Sequence, residues 1–381
     1  MNLNKIDKTL FCSACALDDK ENRECIIHAY DYSRTKNILL HKKVKILNEY
    51  LFINSFRVIA NKKQIEEMSM LSQVKFISSV SRASALMNVA KKILCVDNEN
   101  LTGKGVTIAF IDTGISKHND FCLGDKRIKF FKDFVSDKNN CYDDNGHGTF
   151  VAGVCSGNGA QSCGRYCGIA PNSNIISLKA LNKQGEASAD KILNSMEWVF
   201  DNHKTRQIKI VCMSFGSEPL GFNDPIMQGA EALWREGIVV VAAAGNSGPE
   251  FQTIKSPGVS SQIITVGGFN DNRIDETFNS GYYELAEFSS RGPAFQRYKP
   301  DLVAPSVDIT SCSIRNSYTT LSGTSVATPM IAGLCALLLE KNEALTPLEI
   351  KRALLSSAHP ISFNKNMEGY GYPDIQKILK K

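Results

Sequence analysis

The sequence has no long apolar run and little net charge. Its 381 residues include 44 basic and 39 acidic side chains, a formal charge of +5, with no long run of Lys or Arg. No apolar stretch approaches the roughly 18 residues of a membrane span, so we expect no transmembrane segment and no membrane partner. The small charge excess predicts no nucleic-acid partner either.

A leader peptide is also not evident. The one candidate, residues 9–17, is short, weakly apolar and rich in Cys and Ser, although Ala14-Cys15-Ala16 imitates a small-residue cleavage site. We therefore predict a cytoplasmic protein, with secretion by a non-standard route as the alternative.

Cysteine, by contrast, occurs twelve times. A disulfide framework needs an oxidising compartment, which the missing leader disfavours. Cys12-x-x-Cys15 and Cys163-x-x-x-Cys167 have the residue type for a zinc site, but neither has a second CxxC or HxxxH at the usual spacing. We expect reduced thiols; a redox or metal-binding protein built on these cysteines is the alternative.

From residue 106 onward, short apolar runs alternate with amphipathic segments at residues 189–202 and 225–234. Near-continuous apolar runs are typical of parallel strands that are covered on both faces. The alternation predicts a three-layer α/β domain with a mostly parallel sheet. The predicted strands are residues 108–111, 175–178, 208–213, 238–244 and 263–266.

The first hundred residues have a different pattern of apolar residues. Residues 25–30, 51–60 and 74–77 are typical of strands, and residues 63–71 of an amphipathic helix. We predict a small α+β domain ahead of the α/β domain, with an unrelated N-terminal binding module as the alternative.

Three short motifs carry candidate catalytic residues. Asp112 ends an apolar strand, His147 lies between two glycines at the start of a helix, and Ser325 opens another helix after a tight turn. A serine hydroxyl is a weak nucleophile that needs a base within hydrogen-bond reach, which a neutral imidazole supplies. An aspartate can hold that imidazole in the correct tautomer. A fourth motif, Gly245-Asn246, ends another apolar run.

Each of these residues has an ordinary explanation when it is taken alone, since Asp and Ser often cap turns and helices. The combination is more specific, because the four residues follow one another at separations of 35, 99 and 79 residues. The chain order Asp, His, Ser differs from that of chymotrypsin and of the α/β-hydrolases and matches that of subtilisin. The chain therefore resembles a subtilase, and more closely its non-secreted branch.

The resemblance implies a serine endopeptidase that works through an acyl-enzyme, with Asp112, His147 and Ser325 as the triad. Asn246 would donate its side-chain N–H to the oxyanion. No cofactor is needed for such chemistry. A catalytically silent scaffold is the rival interpretation, but such a protein would be expected to lose a triad residue or Asn246.

The resemblance also implies a self-processing zymogen. Residues 1–24 would be an N-terminal extension, residues 25–80 a domain similar to the family's inhibitory propeptide, and residues 93–381 the catalytic domain. The linker, residues 81–92, would contain the autocleavage site between residues 81 and 87. Peptide and protein substrates and the protein's own propeptide are the expected partners, and we expect a monomer.

Substrate-binding residues follow from the same resemblance. Ser214, Phe215 and Gly216 match one wall of the main specificity pocket, and the segment with Ala243 and Gly245 matches the opposite wall. Lys255 aligns with the pocket floor. A lysine there would favour an acidic residue before the scissile bond by charge pairing; a lysine bent out to solvent is the alternative.

A structural calcium ion is a further feature that the resemblance suggests. His118-Asn119-Asp120 matches the stretch whose aspartate often binds calcium in the family. The loop that should complete the site, residues 157–168, holds Cys163, Arg165 and Cys167 rather than a clear set of oxygen ligands. We therefore assign no metal-binding residue.

Overall fold

The chain divides into two compact units, residues 1–83 and 84–381. Most of the N-terminal extension and the predicted cut site between residues 81 and 87 lie outside the described residues, so those predictions stay predictions. The computed structural model describes residues 2, 5–6, 22–51, 54–79, 90–91, 93–94, 96, 101–122, 126–272 and 282–379.

The described residues of the first unit form a four-stranded antiparallel sheet in the order β2-β3-β1-β4, with two helices. Its core includes Ile27, Phe56, Val58 and Met68. The elements are β1 (Asn22–Ala29), α1 (Tyr32–His41), β2 (Lys45–Tyr50), β3 (Ser55–Asn61), α2 (Lys62–Ser69) and β4 (Val74–Ser79).

Two elements of this unit differ from the sequence-based expectation. The strand expected at residues 51–60 begins only at Ser55, and residues 45–50 form a separate edge strand. Helix α1 was not expected at all. The physical reason is the same for both: β2 has no fully buried residue and α1 buries only Thr35 and Leu39, so neither shows a strong apolar period.

The second unit contains an eight-stranded sheet in the order β11-β10-β9-β8-β5-β7-β6, with β12 paired to β10. Every pairing is parallel except β10 with β11. The strands are β5 (Thr107–Asp112), β6 (Ile128–Asp133), β7 (Asn174–Lys179), β8 (Ile208–Met213), β9 (Val239–Ala243), β10 (Ile264–Asn270), β11 (Glu284–Leu285) and β12 (Leu302–Pro305); a separate hairpin contains β13 (Ile309–Ser313) and β14 (Ser317–Leu321).

Helices cover both faces of this sheet, which confirms the predicted three-layer α/β architecture. Along β5, Ile108 and Phe110 enter one core and Ala109 and Ile111 enter the other, as expected for a strand buried on both sides. The helices are α3 (Asn119–Cys122), α4 (His147–Ser156), α5 (Ala189–Asn202), α6 (Pro225–Arg235), α7 (Thr324–Lys341), α8 (Pro347–Ser357), α9 (Lys365–Glu368) and α10 (Ile375–Leu379).

Helix α7 contradicts the expectation that no apolar stretch reaches the length of a membrane span. With 18 residues it is long and apolar enough to cross a membrane by length and composition, so one apolar stretch does reach that size. However, 83% of the helix is buried inside the protein. It packs on β8, β9 and β10, which is typical of a central core helix.

The order of the strands brings the candidate residues to one edge of the sheet. Strands β9, β8 and β5 are neighbours. Asp112 is the last residue of β5, Ser214 follows β8, and Asn246 lies three residues beyond β9. The carboxyl ends of adjacent parallel strands therefore place these groups side by side, as the sequence predicts.

Candidate active site

Asp112 and His147 form a direct hydrogen bond. The Nδ1 atom of His147 lies 2.8 Å from Oδ1 of Asp112. The aspartate is 1% exposed, whereas the imidazole keeps 26% of its surface open to solvent. A buried carboxylate thus holds one ring nitrogen while the other edge of the ring remains accessible.

Glycine on either side of His147 makes this geometry feasible. Gly146, at the N-cap of α4, has φ of 106°, in the left-handed region that favours glycine. A Cβ on Gly148 would lie 2.3 Å from the carbonyl oxygen of Gly114 and 3.2 Å from Cβ of Asp112. Only glycine lets the first turn of α4 approach the end of β5 this closely.

Asp143 connects the segment after Asp112 to the segment around His147, a role that the sequence did not reveal. Its Oδ1 accepts hydrogen bonds from Oγ1 of Thr113 at 2.9 Å and from the backbone N–H of Gly146 at 2.8 Å. Its Oδ2 accepts from the N–H and the hydroxyl of Thr149 at 2.9 and 2.7 Å. The only available signal was its position four residues before His147.

Lys179 makes a second connection between the same segments. This lysine, at the end of β7, is fully buried, and its ammonium donates to the carbonyl oxygens of Thr113 and Leu181 at 2.6 and 3.0 Å. It also pairs with Oδ1 of Asp144 at 2.7 Å. The residue after Asp112 is thereby anchored to the loop that leads into α4.

The surroundings favour the protonated form of His147. Burial by itself lowers the pKa of the imidazole, but the charge of Asp112, the hydrogen bond to Asp112 and the charge of Asp143 together raise the pKa above its ordinary value of 6.5. The second carboxylate oxygen of Asp112 has no hydrogen-bond partner within the described part of the chain. The imidazolium is therefore the natural counter-ion of this carboxylate.

Ser325 and Asn246 flank the same small space. A Cβ placed on Gly323 would lie 3.1 Å from Oγ of Ser325 and 3.2 Å from Nδ2 of Asn246. Gly323 has φ of 154° and precedes the first residue of α7. The backbone N–H and the hydroxyl of Thr324 donate to Oδ1 of Asn246 at 2.9 and 3.0 Å.

The structure thus joins the candidate residues into two pairs, Asp112 with His147 and Ser325 with Asn246. Among the hydrogen bonds of the described residues, none links His147 to Ser325. Such a bond is often long or poorly aligned before a substrate binds.

The predicted walls of the specificity pocket lie next to each other. The N–H groups of Ser217 and Ser256 each donate to the other residue's carbonyl oxygen at 2.9 Å, and the N–H of Lys255 donates to the carbonyl of Ala244 at 2.9 Å. Ser214 and Ala243 are buried, and Phe215 packs against the core that contains Ala109 and Ile111.

Lys255 lies between Gly216 and Gly245. A Cβ on Gly216 would be 2.6 Å from Cβ of Lys255, and one on Gly245 would be 2.5 Å from Cγ of Lys255. The lysine side chain is 18% exposed, and its ammonium pairs with the carboxylate of Glu218, which is 80% exposed. This partner could not be predicted from local patterns, because a pairing across 37 residues depends on the tertiary fold.

The stretch with Asp120 does not fit calcium. Both oxygens of the buried Asp120 carboxylate accept hydrogen bonds from the Tyr318 hydroxyl at 2.9 Å. Oδ1 also accepts from the N–H of Gln161 at 2.9 Å, and Oδ2 from Sγ of Cys312 at 3.4 Å. Calcium needs six to eight oxygen ligands, whereas the loop at residues 157–168 meets this carboxylate with an N–H donor.

Asp120 and Cys312 belong to a buried cluster that also contains His118. Their potential ligand atoms lie within 4.8 Å of one another. The cluster is held by its own hydrogen bonds, because Nδ1 of His118 accepts from the N–H of Asp120 at 3.1 Å and Nε2 lies 3.0 Å from the carbonyl of Ser317. All nine cysteines in the described part of the chain are free.

Known proteins that are similar to this chain point to one family. The family profile described as the subtilase family matches residues 103–372, a region that contains all four candidate catalytic residues. The solved structure of the S41 psychrophilic protease superimposes with a TM-score of 0.65 at 28% identity, covering 75% of this chain and 97% of that one.

Two curated relatives show the same relationship at the level of sequence. Serine protease AprX of Bacillus subtilis (strain 168) is 44% identical over 280 residues, which are 68% of this chain and 62% of AprX, so the match spans less than two thirds of that relative. Subtilisin DY of Bacillus licheniformis is 32% identical over 266 residues, covering 69% of this chain and 87% of that protein. The chain therefore belongs to the subtilase family of serine endopeptidases.

Proposed function

We propose that the protein hydrolyses peptide bonds through an acyl-enzyme formed on Ser325. The observation that carries this proposal is the 2.8 Å bond between Asp112 and His147, and the space that Ser325 and Asn246 share at Gly323 supports it. Subtilases need no cofactor for this chemistry. Every group that the reaction requires is a side chain or backbone amide of this chain.

In the first step His147 takes the proton of the Ser325 hydroxyl while the oxygen attacks the scissile carbonyl carbon. Asp112 stabilises the imidazolium that results. The protonated His147 then gives its proton to the leaving amine as the C–N bond breaks. Water repeats the sequence on the acyl-enzyme, again with His147 as the base, and releases the acid product and the free serine.

The oxyanion forms next to Asn246. The side-chain amide of Asn246 and the backbone N–H groups at the start of α7 are the donors for this charge. The helix adds the positive end of its dipole at the same place. These interactions strengthen as charge develops, so they lower the barrier rather than only increase substrate affinity.

The substrate would bind as an extended strand along residues 214–216, with its side chain before the scissile bond between Gly216 and Gly245. Lys255 and Glu218 set the preference in that pocket. Because the carboxylate of Glu218 already neutralises Lys255, an acidic substrate residue must displace that carboxylate to pair with the lysine. An exposed ion pair contributes about 0–1 kcal/mol, so the substrate carboxylate can replace Glu218 at little cost in free energy. The net gain is equally small, and the wild type should prefer glutamate only weakly.

The preference is tested with otherwise identical peptides that carry Glu or Phe before the scissile bond. Glu218→Gln frees the ammonium and should raise the Glu/Phe ratio of kcat/KM about fivefold, whereas Lys255→Gly should lower it below the wild type. Glu343→Gln, at a surface depression near Lys104 and Lys341, is the matched control. An unchanged ratio in both pocket variants would contradict this role.

The first unit would act as the propeptide of a self-processing zymogen. The four-stranded sheet and the helices α1 and α2 of its described part are consistent with the small α+β domain that the sequence predicts. The experiment is the intact mass of the wild type beside Ser325→Ala. We expect cleavage between residues 81 and 87 in the wild type and an uncut Ser325→Ala chain. An uncut wild type with peptidase activity would reject the zymogen, and one without activity would count against both proposals.

A further inference from the structure

A buried cation lies at the junction of three segments of the second unit. Arg127, the residue before β6, is only 4% exposed. One guanidinium nitrogen donates to the carbonyl oxygen of Ser156 and, at 3.4 Å, to that of Ser173. The other donates to the carbonyl oxygen of Asp120.

The three carbonyl groups come from parts of the chain that are distant in sequence. Asp120 lies in α3, Ser173 precedes β7, and Ser156 is the last residue of α4, whose first residue is His147. The final carbonyls of a helix have no partner inside the helix and carry the negative end of its dipole. A positive group at Ser156 therefore satisfies an oxygen of the helix that presents the catalytic base.

Carbonyl oxygens from separate segments are also the ligands that calcium uses to join loops. A guanidinium can perform the same task, because it has five N–H donors in a fixed plane and keeps its proton in proteins. Its geometry differs from that of an ion, since it binds oxygens in one plane rather than around a sphere. Three carbonyl oxygens are what Arg127 engages here.

The neighbouring carboxylate leaves no role for a second cation. Asp120 already accepts from Tyr318, Gln161 and Cys312, while its backbone carbonyl is bound to Arg127. A divalent ion at this carboxylate would displace these donors and would also be repelled by the buried guanidinium.

We propose that Arg127 is a built-in cation that takes over the structural role of the calcium ion expected from the family resemblance. It fixes the end of α4 to α3 and to the start of β7 without a bound metal. The stability of this region is therefore independent of calcium, and it depends instead on the guanidinium.

Thermal unfolding of the full-length protein tests this proposal. All variants carry Ser325→Ala, so self-digestion does not contribute to the measurement. In Arg127→Met the side chain keeps an unbranched apolar stem but loses the guanidinium with its charge and donors, which leaves buried carbonyls without partners. We expect a melting temperature lower by roughly 5 °C or more. Arg235→Met, at an exposed site in the last turn of α6, is the matched control and should change the melting temperature little.

The second measurement compares melting temperatures in EDTA and in millimolar calcium. It uses the parent Ser325→Ala protein and its Asp120→Asn variant. The proposal predicts the same calcium-dependent difference in both proteins, because calcium does not bind at Asp120.

Two results would overturn the proposal. The first is an Arg127→Met protein as stable as Arg235→Met. The second is a calcium-dependent gain that is at least about 3 °C larger in the parent than in Asp120→Asn. If Arg127→Met does not fold, Arg127→Lys replaces it, and a melting temperature below that of Arg235→Met is expected, because the charge remains but fewer donors do; an Arg127→Lys protein as stable as Arg235→Met would overturn the proposal. None of these readouts requires peptidase activity.

Discussion

Thr324 fixes the orientation of Asn246. Its N–H and hydroxyl both donate to Oδ1 of the asparagine, at 2.9 and 3.0 Å. The side-chain amide has a carbonyl end and an NH₂ end, and this double contact occupies the carbonyl end. The NH₂ end is left beside Ser325, where the oxyanion of the proposed reaction forms.

Substitution of Asn246 and substitution of Thr324 should both slow catalysis, but by different factors. In subtilisin, loss of the corresponding donor reduces kcat about 10²- to 10³-fold, and we expect the same for Asn246→Ala. Thr324→Val deletes one of the two orienting hydrogen bonds, worth about 1 kcal/mol, so kcat should fall about fivefold.

Steady-state kinetics on one peptide substrate measures both effects, and Thr324→Ser, which retains the hydroxyl, is the control. A Thr324→Val enzyme with wild-type kcat would show that the double contact does not orient Asn246.

The activity should depend on the protonation of His147. The base is active only when neutral, and the pKa of His147 is raised above 6.5, so kcat/KM should rise with pH along an acid limb centred above that value. Asp112→Asn removes both contributions of the carboxylate, so the acid limb should move to lower pH and the rate should fall about 10⁴-fold. A pH profile of kcat/KM for both enzymes is the measurement; an acid limb at the same pH in both would contradict this assignment.

The same pKa shift has a consequence for stability. Because the pKa is raised in the folded state, protonation of His147 stabilises the fold fully below the unfolded pKa, and this contribution disappears as the pH rises through the folded pKa. Over a pH range that starts near the ordinary histidine pKa of about 6.5, the difference in unfolding free energy between Ser325→Ala and Ser325→Ala/His147→Gln should therefore shrink with rising pH. A difference that stays constant over this range would argue against a raised pKa.

Gly216 should be intolerant of any side chain. A Cβ there would lie 2.6 Å from Cβ of Lys255, so one of the two pocket segments must move. Overpacking of this kind costs about 1–3 kcal/mol. We expect Gly216→Ala to raise KM about tenfold for a substrate with Phe before the scissile bond and little for one with Ala. Equal changes for the two substrates would place Gly216 outside the pocket.

A buried ionic cluster away from the active site should control stability. The carboxylate of Asp301 pairs with Lys299 at 2.6 Å and with Lys351 at 3.0 Å, and both lysines are buried. Burial raises the pKa of Asp301, but the two ammonium groups outweigh it and keep the pKa below its ordinary value.

Asp301→Asn would leave two buried ammonium groups without their counter-charge. A loss of about 3–5 kcal/mol of unfolding free energy is expected. Denaturant unfolding in the Ser325→Ala background measures it, with the exposed Asp201→Asn as the control. A loss below 1 kcal/mol would mean that the cluster does not depend on this carboxylate.

The catalytic unit was largely predictable from local patterns. Helix α5 was expected at residues 189–202 and has those bounds, because its apolar residues recur at helical spacing between polar ones. The strand that ends at Asp112 and the strand that precedes Asn246 are continuous apolar runs, and parallel strands present such residues at one edge. In the first unit the mostly exposed strand β2 lacks this signal, so the sequence alone did not reveal it.

The contacts that refine the site were not predictable. Glu218, Asp143 and Arg127 are polar residues whose partners lie across loops or in other elements, and no local period marks them. A charged residue in a loop usually faces solvent, so burial and pairing become visible only in the fold. Motifs therefore predicted the reaction, whereas the pairing of Lys255 with Glu218 and the contacts of Arg127 are visible only in the fold.

The most direct test of the account is to label the full-length enzyme with a peptidyl phosphonate, which reacts only with an activated serine. Peptide mapping should find one adduct, on Ser325, in the wild type, and none in Ser325→Ala or His147→Ala. An adduct on another residue, or a peptidase activity that survives in Ser325→Ala, would contradict the proposed mechanism.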